Sequence, residues 1–305
     1  MPAPWFSRRH GMRAAAAAAL ALPLSLQSEA RAAGTAETAA PTVPVSGSRL
    51  HTMTFNLRYA SDTAPNSWAQ RRPVMRELLR RAEPHLLGTQ EGLYGQLRDI
   101  AADLGPRYDW LGTGRAGGSR DEFMAVFYDT RRLEPLEYDH FWLSDTPYVI
   151  GSNTWSGAVV RMVTWVRFHD RATDRQFYAL NTHLDHLSQY ARERAAGLIT
   201  ERLRGLDASL PRIVTGDFNV AAHRNPVYDT MLDGGSLADA WDAAEGRSKL
   251  YATFHGYKPL VPDGDRIDWI LVSPGVRVRY AAINTYSSGG QFPSDHLPVQ
   301  AVLEV

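Results

Sequence analysis

From about residue 49 onward, short apolar runs alternate with stretches whose apolar residues recur every three or four positions, which predicts strands and helices by turns. Residues 50–57 read as a strand, and the period of two puts Thr54 and Asn56 on one face. Over 68–82, Val74, Leu78 and Leu79 form the buried stripe of a helix with arginines opposite, and Pro84 follows its end. Residues 86–91 make a short strand, and 93–104 a second helix stopped by Gly105-Pro106. Ala191, Ala195, Leu198, Ile199 and Leu203 mark a third helix over 188–206. Further strands are expected at 124–128, 162–168, 177–182, 212–215, 267–272, 276–284 and 299–305. There is no internal repeat and no second linker, so one mixed α/β domain over 49–305 is expected.

The first residues follow a different pattern. Arg8, Arg9 and Arg13 precede an apolar stretch over 14–26 that is too short to span a bilayer, and Ala30-Arg31-Ala32 fits a small-x-small cleavage site. Residues 1–32 therefore read as a signal peptide and the chain as exported, by the Sec route or, from the partial signature Ser7-Arg8-Arg9, by Tat. Residues 33–48, rich in Ala, Thr and Pro, read as a disordered linker.

Composition narrows the chemistry. The 305 residues are 44% hydrophobic and 22% charged, an ordinary globular balance, and contain no cysteine. Disulfides, thiolate zinc sites and a cysteine nucleophile are thereby excluded. The formal net charge is zero, which leaves no overall electrostatic footprint for non-specific nucleic-acid binding.

Several apolar runs end on polar residues of a recurring kind: Thr54-Phe55-Asn56, Gly88-Thr89-Gln90-Glu91, Asn181-Thr182-His183, Gly216-Asp217-Phe218-Asn219, Arg266-Ile267-Asp268-Trp269 and Ser294-Asp295-His296. Carboxylates, amides and imidazoles at strand ends suit a hard cation and a phosphate, and they suggest one site assembled from distant segments. Glu91 follows a buried run, so its charge sits at a strand mouth, and Asn56 offers an amide oxygen. The i, i+2 spacing puts Asp217 and Asn219 on one strand face.

Taken in order, these six motifs resemble the endonuclease/exonuclease/phosphatase superfamily of Mg²⁺-dependent phosphoester hydrolases, over nearly all of the mature chain. The resemblance implies a four-layer α/β/β/α sandwich, two stacked mixed β-sheets flanked by helices, in a single domain. It implies Mg²⁺, with Mn²⁺ or Ca²⁺ as substitutes, held by Glu91, Asn56 and Asp295. Asp217 would orient or deprotonate the attacking water, Asn219 and His183 would bind the phosphate, and His296 would act there with Asp268 as its partner. A carboxylate partner fixes an imidazole's tautomer and favours its cationic form; whether His296 or Asp217 is the base stays open. Arg161 is a further candidate for the phosphate, since a guanidinium binds it bidentately.

Weaker signals accompany these. His183-Leu184-Asp185-His186 partly matches a binuclear zinc run, but residue 181 is Asn, so Asp185 and His186 are expected at the rim of the site. Glu122 precedes a strand as Glu91 follows one, and Arg58 lies two residues beyond Asn56. Trp68, Trp142 and Trp155 are candidates for a stacking platform, and the glycine- and arginine-rich segment 112–121 for a substrate loop. The expected activity is hydrolysis of a phosphodiester, with nucleic acid as the first candidate. The alternatives are a phosphatase, a sphingomyelinase-type lipase or, in another class, an inactive module that binds a phosphorylated ligand. No membrane span or obligate protein partner is expected, and the chain reads as a monomer.

Overall fold

Strand parity sorts the interior into layers. In β1 (Leu50–Asn56), Met53 and Phe55 point one way, into a cluster with helix α1 (Trp68–Ala82) and helix α2 (Tyr94–Leu104), while Leu50 points the other way. Leu50 meets Leu86 of β2 (Leu86–Gln90), but also Phe177 and Ala179 of β9 (Arg175–His183) and Ile213 of β10 (Arg212–Asp217), strands of a second sheet. On the far side of that sheet, Leu180 and Val214 pack under helix α3 (Gln189–Arg204) and helix α4 (Pro226–Leu232). Three apolar clusters between four layers make the α/β/β/α sandwich. The coordinates, a computed structural model, describe residues 47–233 and 236–305. The segment expected to be a signal peptide, and all of the expected linker but its last two residues, lie outside the described residues.

The strands between these are β3 (Gly92–Leu93), β4 (Tyr108–Leu111), β5 (Glu122–Phe123), β6 (Val126–Asp129), β7 (Leu133–Trp142) and β8 (Met162–Asp170). After α4 come β11 (Ala238–Asp239), the short helix α5 (Ala240–Ala243), β12 (Gly246–Arg247), β13 (Asp268–Val272), β14 (Arg277–Ile283) and β15 (Val299–Glu304). The first sheet runs β12-β14-β15-β1-β2-β6-β4 and the second β11-β13-β10-β9-β8-β7; β3 and β5 form a small ribbon. Both large sheets are mixed: β1 and β2 pair parallel, as do β9 and β10, while β1 with β15 and β10 with β13 are antiparallel. Among the described residues, no helix is long and apolar enough to cross a membrane.

The space between the sheets is graded. At one end it is hydrocarbon, with Leu50, Leu86, Phe177, Ile213 and Val272. Further along it becomes a buried amide layer. Gln90 Nε2 donates to Asn181 Oδ1 at 2.7 Å and to Thr54 Oγ1 at 3.1 Å, and Thr215 Oγ1 donates to Asn181 Oδ1 at 3.1 Å. Asn181 Nδ2 donates back across the gap to the Thr89 and Ala125 carbonyls at 2.7 and 2.9 Å. These contacts bind the sheets directly. They also explain why Gly88 is glycine, because a Cβ there would lie 2.1 Å from Thr215 Oγ1 and 2.7 Å from Asn181 Oδ1. Beyond this layer the same strands end on ionisable groups.

Candidate active site

At one edge of the second sheet the ends of β9 and β10 and the start of β13 carry a row of titratable side chains. In register, His183 of β9 lies beside Asp217 of β10, and Asp217 beside Asp268 of β13. Directly paired residues share a sheet face, so all three point into the gap. Opposite them, Asn56 ends β1 and Glu91 follows β2. Phe218, the intervening residue of the Asp217-Phe218-Asn219 run, points to the helix side and stacks on Trp269 with ring centroids 4.2 Å apart, which anchors the turn from behind.

Asn56 joins the two sheets. Its Nδ2 donates to Glu91 Oε1 at 3.0 Å and to Asp217 Oδ2 at 2.9 Å, while its Oδ1 accepts the Arg58 N–H at 2.9 Å. The amide oxygen expected to face a cation is thus taken by the backbone, and the nitrogen bridges two carboxylates. Two site residues depend on left-handed backbone. A continued strand would turn Glu91 toward the helices; its φ of 62° swings it into the gap instead, where the Tyr59 N–H donates to Oε2 at 3.1 Å. Asn219 has φ 54°, and its N–H donates to Asp217 Oδ1 at 2.9 Å. β10 ends at Asp217, so an Asx turn, not strand spacing, puts Asn219 in the site.

The two histidines sit in opposite electrostatic settings. His183 Nδ1 is 2.8 Å from Arg161 Nη1, and its Nε2 is 2.9 Å from Asn219 Nδ2 and 3.4 Å from Asp217 Oδ2. A guanidinium only donates, so the ring's hydrogen belongs on Nε2. Burial, reinforced by Arg161, pushes His183 well below the ordinary histidine range and keeps it neutral. His296 is also buried, which opposes its charge, but Asp268 and Asp217 outweigh that and raise it to about 10. Its Nδ1 lies 3.0 Å from Asp268 Oδ2, and Nε2 3.8 Å from Asp217 Oδ2. Burial and then Asp268 push the Asp217 carboxyl upward.

A cleft of ≈ 320 Å³ covers these groups and takes in Glu91, His183, Asp217, Asn219, Asp295 and His296. Asp295 therefore shares the cavity with Glu91, but its Oδ2 is held at 2.8 Å by Arg58 Nη1. Glu91, His183 and Asp217 each present a ligand atom within 4.8 Å of the others, whereas Asp295 belongs to no such group among the described residues. The donor set fits a divalent cation: it is oxygen-rich and mostly buried, and burial and Asp268 oppose the ionisation of the Asp217 carboxyl, which a cation would favour.

Some residues expected at the site do other work. Asp185 accepts the Leu187 and Ser188 N–H groups at 2.9 and 2.7 Å and so organises the entry to α3; only His186 lines the cleft. Trp142 and Trp155 are buried, and Trp68 donates from Nε1 to Asp99, so none offers a stacking platform. The exposed aromatics at the cleft are Tyr59 and Phe254, whose ring lies 5.0 Å from that of His296. Arg71, expected on the solvent face of α1, is fully buried. It donates to the carbonyls of Leu57, Arg58, Tyr59, Asn66 and Pro293, tying together the loops that carry Arg58 and Asp295. Arg115, from the glycine-rich segment, also reaches the cleft. Arg71 carries no local sequence signal, because its partners reach as far as Pro293, whereas Arg115 lies in the segment expected as a substrate loop.

The model of the Endonuclease/Exonuclease/phosphatase family matches residues 53–296, which contain every one of these strand-end groups. The chain belongs to this family. Its members hydrolyse phosphoesters, and this chain is an enzyme of that class. It is 33% identical to a mannosyl-6-phosphatase of Bacteroides thetaiotaomicron VPI-5482, with TM-score 0.79, covering 84% of this chain and 100% of that one. An endonuclease/exonuclease/phosphatase from Bacteroides vulgatus is 34% identical with the same TM-score, covering 84% and 99%. The human Nocturnin catalytic domain shares the fold at 17% identity and TM-score 0.66, over 85% and 95% of the two chains.

Proposed function

We propose that the chain is an exported, Mg²⁺-dependent phosphoesterase acting on a small phosphorylated molecule, with a phosphorylated carbohydrate as the first candidate. The observation that carries this is the cleft itself. Its ≈ 320 Å³ is at the small end for a ligand site and holds both the carboxylate–imidazole cluster and buried arginines. A zero net charge argues against a polymeric polyanion, so the geometry favours a smaller substrate than the nucleic acid suggested by the motifs. The mannosyl-6-phosphatase, similar over its whole length, supports a sugar phosphate.

Glu91 is the carboxylate that would hold the cation, with Asp217 and Asp295 beside it and the Asn56 amide bridging Glu91 to Asp217; such an ion supplies Lewis-acid polarisation of a phosphate oxygen. Asp217, fixed by the Asn56 amide and the Asn219 N–H, orients the attacking water and accepts its proton. Neutral His183 donates from Nε2, and Arg161 behind it supplies positive charge. His296, held by Asp268, donates to the phosphate as a cation while charge builds toward the leaving oxygen. Proton acceptor and cationic donor are thus different residues.

The test is phosphate release with Mg²⁺ from hexose 6-phosphates, DNA, RNA and sphingomyelin. Turnover is expected to be highest on a hexose phosphate. Activity confined to a polymer or a lipid would overturn the proposed substrate, and no turnover by folded, metal-loaded protein would leave only a phosphoryl-binding role. Export is tested by whether the full-length chain is recovered outside the cytoplasm with a new N-terminus near Ala33.

A further inference from the structure

The glycine- and arginine-rich hairpin between β4 and β5 is built around one side chain. Gly114 N–H donates to the Gly118 carbonyl at 2.8 Å, and a Cβ on Gly114 would lie 1.9 Å from the Arg120 carbonyl oxygen, so the turn closes only with glycine there. The next residue, Arg115, is fixed at both backbone groups: its N–H donates to the Glu122 carbonyl at 2.9 Å, and its carbonyl accepts the Trp142 Nε1–H at 2.7 Å. Its side chain then runs inward, is only 8% exposed, and lines the cleft beside Arg161, which is 7% exposed.

Between the two guanidinium groups stands the half-buried carboxylate of Glu122. Glu122 Oε2 is 2.8 Å from Arg115 Nη1 and 3.8 Å from Arg161 Nη1, so both arginines converge on one point. The other partner of Arg115, Asp121, is exposed, and its charge is screened by water. Two guanidinium groups therefore share Glu122 at this wall, with Asp217 and Glu91 acting on Arg161 from further away. Arg161 is committed to the reacting centre through His183 and serves any phosphoester. Among the described residues Arg115 makes no hydrogen bond to the catalytic groups, although its charge reaches His183.

A phosphate monoester and a diester differ in charge where a second substituent would attach. Near neutral pH the monoester carries about −1.5 to −2, against about −1 for a diester. Resting on the reading of this cleft as a phosphoesterase site, we propose that Arg115 is a specificity-determining residue that selects terminal phosphate monoesters by pairing with their additional negative charge. A diester would present an uncharged, bulkier ester oxygen to the same guanidinium. The substrate class is thus a molecule ending in a phosphate, not one carrying an internal phosphodiester.

The experiment compares p-nitrophenyl phosphate with bis(p-nitrophenyl) phosphate in the Mg²⁺-loaded full chain and in Arg115→Gln and Arg115→Lys. The wild type is expected to prefer the monoester. Arg115→Gln should lower kcat/KM for the monoester by about 100-fold, the scale of one charge-assisted hydrogen bond, and leave the diester within about 3-fold. Arg115→Lys keeps the charge and should recover much of the preference. Equal losses on both substrates in a folded Arg115→Gln protein, or no loss on either, would overturn the proposal. A wild type that prefers the diester would overturn it too, while leaving the phosphoesterase reading intact; a wild type inactive on both, and on hexose 6-phosphates, nucleic acid and sphingomyelin, would instead remove that reading.

Discussion

Asp268 Oδ2 lies 3.0 Å from His296 Nδ1, and both side chains are buried, although 28 residues separate them and they leave different segments. The carboxylate fixes which face of the imidazole is presented to the cleft and stabilises its charged form. Replacing it with an amide of the same shape, Asp268→Asn, should leave folding intact and lower kcat by about 10³- to 10⁴-fold, as when a histidine loses its orienting aspartate in a triad, with little change in KM. Steady-state kinetics on a hexose phosphate, with circular dichroism as the folding control, check this.

Arg71 holds five backbone carbonyls from loops on both sides of the active site. No other side chain supplies five donors in a fixed plane, so lysine is a poor replacement. Arg71→Lys should destabilise the fold by about 3 kcal/mol or more, because buried carbonyls lose their partners. Urea unfolding measures the loss.

Gly88 marks the closest approach of the two sheets. Gly88→Ala should cost about 1–3 kcal/mol through overpacking against Thr215 and Asn181. Since the nearest obstacle is the Thr215 hydroxyl, adding Thr215→Ala should recover part of that loss, and a double-mutant cycle in urea reads the coupling.

His51 and His85, far from the cleft, join His183 in setting the acid limit of stability. Burial pushes His51 from 6.5 down to about 3, with His85 adding to the effect, and burial with Arg132 nearby pushes His85 down to about 4. Both folded values lie below the unfolded one, so below about pH 6.5 the unfolded chain binds protons that the folded chain refuses. Their contribution is complete above that pH and is lost as pH falls toward 4 and 3, at about 1.4 kcal/mol per pH unit for each histidine. Urea midpoints between pH 7 and 5 should fall with acid, and His51→Gln should flatten the slope.

The strand-end residues were legible because each lies where a local apolar run stops, whereas the four-layer architecture came from the resemblance of the six motifs in order; strand pairing then sets Asp217, His183 and Asp268 on one face. α1 matched its predicted span to the residue, with a Ser67 capping box at its start. The strand expected at 124–128 is β6, shifted by two residues at its start, and β4, β7 and α4 were not anticipated. Contacts made across the chain were illegible. Asn181, expected only as part of a histidine strand, is the centre of the inter-sheet amide layer. Arg71 looked like a solvent-facing helix residue, since its carbonyl partners lie 5 to 222 positions away. Glu91 and Asn219 reach the site through left-handed backbone, which the two-residue period does not anticipate.

Metal dependence probes the assembled cluster most directly. Phosphate release from a hexose 6-phosphate, titrated with Mg²⁺ after chelator treatment, should vanish without the ion and return with it. In Glu91→Ala the half-saturating Mg²⁺ concentration should rise about 10-fold or more, the scale for losing a carboxylate next to a bound cation. Asp217→Ala should stay folded and inactive at any Mg²⁺ concentration. Full activity in chelator, or near-normal turnover by Asp217→Ala, would contradict the account.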